Sequence, residues 1–204
     1  MHSNDHRPVP GTLRSAVGFV AAVTAAVAFA QAGKNIDAPA PALPPEYTED
    51  ARRAYTQGLN EARKLLDAKR YDEAIARLSA LSKERPREAQ ARFLMAVAET
   101  DVGRTQDAVA TLRALLADFP ELPEPRNNLA VLYAAQGNYP LARAELELAI
   151  AAAPDYATAR ENLGDVYARL AVAEYERAQQ LDKSNKTVAP KLKLARELLA
   201  VTTR

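Results

Sequence analysis

The chain has 204 residues, with 27 basic side chains against 26 acidic ones and a net charge of +1, so it carries no electrostatic footprint for nucleic acid. It contains no cysteine, which excludes disulfides, thiol redox chemistry and thiolate metal sites. The two histidines, His2 and His6, both lie before the first apolar run, leaving no imidazole in the rest of the chain for a nucleophilic triad or a histidine zinc site.

The amino end reads as an export signal. His2, His6, Arg7 and Arg14 precede an apolar run from Ala16 to Ala30, closed by Ala28-Phe29-Ala30 and Ala30-Gln31-Ala32. A basic start, a short apolar core and small-x-small residues are the three parts of a secretory signal peptide. The run is shorter than the roughly 18 residues that suggest a spanning helix. Residues 1–32 are therefore expected to be a cleaved signal, cut after Ala30 or Ala32, with an uncleaved inner-membrane anchor as the alternative. Loss of Arg7, Arg14 and Asp5 would leave the remaining chain neutral. Residues 33–47 follow as a linker, in which Pro39, Pro41, Pro44 and Pro45 among alanines favour extended backbone and cannot build a core.

From there on the sequence is periodic. Pro86, Pro120 and Pro154 stand 34 residues apart, and Ala74, Ala108 and Ala142 recur in step with them. A methyl group is what a helix presents when a second helix must approach closely. Each proline follows a last helical turn, where a residue unable to continue the helix makes a sharp stop. The third copy is nearly complete: Leu129, Ala130 and Tyr133, then Gly137 at the turn, then Ala142, Leu146 and Pro154. The second holds Met95, Ala96, Glu99, Gly103, Ala108, Leu112 and Pro120, with the aromatic lost to Glu99. The first keeps Leu65, Tyr71, Ala74, Leu78 and Pro86 but has Gly58 and Glu61 where large apolar groups are expected.

A fourth copy opens with Arg160, Leu163, Gly164 and Tyr167, yet Ala171, Tyr175 and Ala178 arrive five residues early. No Gly, Pro or Asn lies between Asp165 and Asp182, while apolar residues continue at helical spacing. One unbroken helix from about Tyr156 to Asp182 is predicted in place of a hairpin. After Ser184-Asn185-Lys186, Pro190 suits the first turn of a last helix carrying Leu192, Leu194, Leu198 and Leu199, which would cap the stack.

These copies resemble the tetratricopeptide repeat, whose pattern is W-x2-L-G-x2-Y, A-x3-F and P over 34 residues. The likeness covers residues 55–185 and implies an all-α solenoid of antiparallel helical hairpins. Its expected divisions are a degenerate first repeat at 48–88, then repeats at 89–122, 123–156 and, shortened, 157–185, and a capping helix at 186–204. The pattern's tryptophan is replaced by Gly58, Arg92, Arg126 and Arg160. The arginines could form a basic ladder, but packing of their methylene stems between helices, with the heads reaching water, is the better reading.

The resemblance further implies that the first helices of the hairpins line a concave groove, presenting Arg63, Phe93, Val97, Asn127, Val131, Glu161 and Asp165. Phe93 is then either an apolar anchor or core, Asn127 a donor to a peptide backbone, and Glu161 with Asp165 an acidic site for a basic segment. Asn60, Asn128 and Asn162 recur in register beside it. No lysine falls at a groove position, which disfavours the carboxylate clamp some relatives use for chaperone tails. Glu161 and Asp165 share a helical face at i and i+4, a spacing more often solvated surface than catalytic pair, and no glycine-rich phosphate loop is present.

The sequence therefore points to a non-enzymatic binding module without cofactor or metal. Its expected role is that of a periplasmic adaptor holding a protein or peptide segment of an envelope protein. The alternative is an assembly subunit of a pilus, secretion or cell-wall machine that docks through its ends.

Overall fold

The computed structural model describes residues 48–202; the expected signal and linker lie outside the described residues. Eight α-helices and no strands occur among them: α1 (Glu49–Asp67), α2 (Tyr71–Glu84), α3 (Ala89–Asp101), α4 (Thr105–Asp118), α5 (Pro123–Ala135), α6 (Tyr139–Ala152), α7 (Ala157–Leu181) and α8 (Val188–Thr202). They form two compact units, divided inside α4 between Thr111 and Leu112.

In the unit ending at Thr111, α1 starts where Thr48 Oγ1 accepts from Ala51 N at 3.2 Å, with Glu49 and Asp50 in the first turn. The side-chain cap satisfies one orphan amide, and the two carboxylates suit the positive end of the helix dipole. Tyr55, Leu59 and Ala62 of α1 meet Leu78 and Leu81 of α2 and Ala91 and Leu94 of α3 in one core. Gly58 explains the degenerate opening helix. A Cβ there would lie 2.8 Å from Leu81 Cδ2 and 2.9 Å from Arg77 Nη2, so the missing side chain is what allows α2 to press this closely. Arg77 crosses to Glu61 at 3.1 Å, and Arg85 lies over the Tyr55 ring, 5.2 Å from its centroid.

In the unit from Leu112 onward, Ala130 and Ala134 of α5 pack on Ala142, Leu146 and Ala149 of α6, with Ala159 and Val166 of α7 completing the core. Burying a leucine such as Leu146 fully is worth roughly 1.5–3 kcal/mol. The alanines admit the close helix contact that the sequence spacing implied. α7 is unbroken from Ala157 to Leu181, as the lack of a turn signal predicts, and α8 packs on it through Val188 and Leu192. Arg196 Nη2 donates to Glu176 Oε1 of α7 at 2.6 Å.

Two backbone devices repeat. The first closes the helices that end before Lys69, Gly103 and Gly137, which have φ of 58°, 77° and 77°. Arg70 N bonds to Leu65 O at 2.8 Å, Arg104 N to Glu99 O at 2.8 Å and Asn138 N to Tyr133 O at 2.9 Å. This is the six-to-one bond of a Schellman cap, which needs a left-handed residue and favours glycine there. Lys69 fills that position in the first hairpin against its steric preference.

The second device uses the residues at the missing tryptophan. Arg92 Nη2 donates to Pro86 O at 2.8 Å, Arg126 Nε and Nη2 to Pro120 O at 3.1 and 2.7 Å, and Arg160 Nε and Nη2 to Pro154 O at 3.0 and 2.7 Å. Each guanidinium reaches back to a carbonyl in the turn before its own helix. The three arginines are turn clasps, not a ladder of free charges, and charged donors make these bonds stronger than neutral ones.

Candidate partner-binding surface

The residues expected to line a groove divide by exposure. In the unit ending at Thr111, Arg63 lies exposed on α1, where its Nη1 donates to Asn60 Oδ1 at 3.1 Å. Phe93 and Val97 depart from the expectation: they are 4% and 9% exposed. The cause is the composition of α3, in which Ala91, Phe93, Leu94, Ala96, Val97, Ala98 and Glu99 are all buried. A helix apolar on nearly every side has no face to spare for solvent. Phe93 is core rather than an open anchor.

In the other unit, Asn127 requires a second correction. It is wholly buried, and its Oδ1 accepts from Asn162 Nδ2 at 2.8 Å, while its own Nδ2 stands 3.5 Å from Asn128 Oδ1. Buried amides must find partners inside the protein, and this one finds them on α5 and α7. Asn127 and Asn162 form a polar tie between two helices, so Asn127 is not available to a peptide backbone. The recurrence of asparagine beside the groove is structural at Asn128 and Asn162, which are both buried.

At the remaining three positions the surface opens. Val131 on α5 is half-buried, Glu161 on α7 is exposed, and Asp165 is half-buried. Burial raises the Asp165 carboxyl above its ordinary value, the charge of Glu161 adds to the rise, and Arg169 opposes it. Arg169 is also 5.7 Å from the centroid of the Tyr139 ring. Tyr156 is pushed up to about 12, first by burial and then by Glu124. The arrangement suits a cationic group, which would relieve the repulsion between the two carboxylates.

One buried charged residue lies outside the expected groove. Glu99 occupies the slot filled by Tyr133 and Tyr167 in later copies, and it is 7% exposed. Burial raises its carboxyl pKa; a hydrogen bond from Thr111 and the charge of Arg104 pull the other way, while Asp107 adds to the rise. Its Oε2 has no hydrogen-bond partner among the described residues. A charged residue in a slot that is aromatic one period later was the available signal. Among the described residues no group of three or more His, Cys, Asp and Glu side chains could hold a metal ion.

Family models described as tetratricopeptide repeat match residues 59–123 and 99–170. The chain belongs to the tetratricopeptide-repeat family. It is a repeat protein of the kind that binds protein or peptide partners. No curated protein matches the chain. Among solved structures, the first tetratricopeptide domain of Spaghetti (RPAP3), bound to the HSP90 peptide SRMEEVD, aligns with a TM-score of 0.55 and 16% identity over 58% of this chain and 94% of that one. The pilF protein of Pseudomonas aeruginosa aligns with a TM-score of 0.54 and 21% identity, covering 75% and 73% of the two chains. The MamA protein aligns at 0.54 and 20%, covering 72% and 82%. At these identities the tetratricopeptide fold is what is shared.

Proposed function

We propose that this tetratricopeptide-repeat protein is a periplasmic adaptor that holds a basic segment of an envelope protein against the first-helix face of its later repeats. The observation that carries the reading is the Glu161 and Asp165 pair on α7, the first exposed and the second half-buried, where burial and then the charge of Glu161 raise the Asp165 carboxyl. Val131 offers a partly open apolar contact on α5. Arg63 belongs to the other unit and is no part of this face. The RPAP3 neighbour is named with an acidic peptide; the surface here selects the opposite charge. The signal-like residues 1–32 support a periplasmic location.

Peptides tiled across the envelope proteins of the source organism provide the test. The chain is expected to retain basic peptides, and Glu161→Gln combined with Asp165→Asn is expected to weaken the best of them by roughly tenfold, equivalent to about 1.4 kcal/mol. Unchanged affinity in the double variant would remove the acidic face from the mechanism. Processed protein in a periplasmic fraction is expected, and an unprocessed chain in the cytoplasmic fraction would overturn the location.

A further inference from the structure

A capping helix of a repeat array ordinarily turns a polar face outward. α8 does not. Its inner side is buried through Val188 and Leu192, but Leu194, Leu198 and Val201 recur at i, i+4 and i+7 and are 65%, 54% and 73% exposed. Leu181, where α7 ends, is 73% exposed as well.

The charges around this stripe have one dominant sign. From Asp182 to Val201 the basic residues are Lys183, Lys186, Lys191, Lys193 and Arg196, against Asp182 and Glu197, although the chain as a whole is close to neutral. Arg196 is engaged with Glu176, and Lys193 stands 3.8 Å from Glu197. Lys183, Lys186 and Lys191 make no ion pair among the described residues. Lys191 lies one turn before Leu194, at the edge of the stripe, while Lys183 and Lys186 lie in the connection that leads into α8. An apolar helical stripe with an unpaired lysine at its edge and two more in the chain just before it has the pattern of an element that rests in a membrane interface without crossing it. Among the described residues no helix is long and apolar enough to cross a membrane.

We infer that the outer face of α8 docks on an anionic lipid surface, with Leu194, Leu198 and Val201 entering the headgroup boundary and Lys183, Lys186 and Lys191 meeting lipid phosphates. Leucines alone would serve a second copy of the chain equally well. The unpaired lysines favour the lipid, because two copies of a basic face repel each other, whereas an anionic leaflet attracts it. This inference stands on α8 and the connection before it, and survives failure of the peptide reading.

The chain contains no tryptophan, so Leu198→Trp introduces a single reporter into the full chain. Its emission is expected to shift to shorter wavelength on vesicles of equal parts phosphatidylglycerol and phosphatidylcholine. It is expected to stay unshifted on phosphatidylcholine alone and to lose the effect at high salt. Replacing Lys183, Lys186 and Lys191 by Gln in that background should weaken vesicle binding by roughly fivefold per lysine. A Leu148→Trp control, on the exposed side of α6, should report no shift. Recruitment through residues 16–30 would carry the protein to vesicles without moving either reporter. No shift of the α8 reporter on the anionic vesicles, or an equal shift on neutral ones, overturns the inference. So does a shift without vesicles that grows with protein concentration, which would assign the face to a second copy.

Discussion

The α5–α6 hairpin and α7 begin with the same pattern and end as different objects. Arg126, Asn128, Leu129 and Tyr133 are matched by Arg160, Asn162, Leu163 and Tyr167, and both arginines clasp the proline carbonyl six residues earlier. The chain then reverses at Gly137 in the first case and continues to Leu181 in the second. Identity of the opening helix therefore does not decide whether a hairpin forms. A left-handed residue at one position does, together with the backbone bonds it allows. Where the turn is missing, the second half of the repeat becomes an extension of the first, and α8 takes over as its packing partner.

The largest expected contrast between the two regions is in packing. Leu146 is 1% exposed inside the hairpin, while its counterpart Tyr175 on α7 is only half-buried. Leu146→Ala should cost about 2–5 kcal/mol in denaturant unfolding, and Tyr175→Ala clearly less. Equal losses would mean that α7 is as firmly packed beyond Leu170 as α6 is.

Next come the arginine clasps. Arg126 also donates from Nη1 to Glu145 Oε2 at 3.0 Å, in a pair whose side chains are 14% and 22% exposed. Arg126→Ala should cost about 1–3 kcal/mol, as for loss of a hydrogen-bonded charge, and Arg160→Ala less. A smaller loss at Arg126 would show that the Glu145 contact contributes nothing.

The same glycine-to-alanine change should have opposite signs in the two regions. A Cβ meets nothing within 4 Å at either Gly137 or Gly164, but Gly137 has a φ of +77° and Gly164 lies inside α7. Gly137→Ala should destabilise by about 1–2 kcal/mol through the left-handed penalty, whereas Gly164→Ala should stabilise by about 0.5–1 kcal/mol. Two changes of the same sign would contradict the local account of the turn. By the same logic Lys69→Gly should stabilise the first hairpin by several tenths of a kcal/mol or more.

The smallest effect concerns the aromatic slot, which is Tyr133 in the hairpin and Glu99 one period earlier. The Glu99 carboxyl is raised in the folded chain, so the native state binds that proton more tightly than the unfolded chain does. Its contribution to stability is most favourable below the ordinary carboxylate pKa and declines as pH rises through the folded value. Glu99→Gln should therefore gain stability at neutral pH and lose that advantage in acid. Urea titrations of both proteins at several pH values read the crossing directly.

The fold was legible because it is written in packing residues at a fixed period. Proline, glycine and alanine positions located the hairpins, and the absence of Gly, Pro and Asn after Asp165 announced the long helix. The site was legible only in part. Arg63 and Glu161 reach solvent and Asp165 does so in part. Phe93, Val97 and Asn127 do not: a periodic pattern gives the direction of a side chain from its helix axis but not whether a neighbour already fills that space. The amide of Asn127 finds its partner 35 positions later, at Asn162, a pairing that neither residue announces.

By itself, then, the sequence determined the elements, their boundaries and their order, since turns and helix starts depend on residues within a few positions of one another. Only the tertiary structure decided which polar groups are spent on the fold and which remain for a partner. It assigned Arg92, Arg126 and Arg160 to proline carbonyls, Asn127 to Asn162 and Glu99 to the interior, and it left Leu194, Leu198 and Val201 uncovered. Burial and hydrogen-bond pairing depend on residues far apart in the chain, so no local pattern could have supplied them.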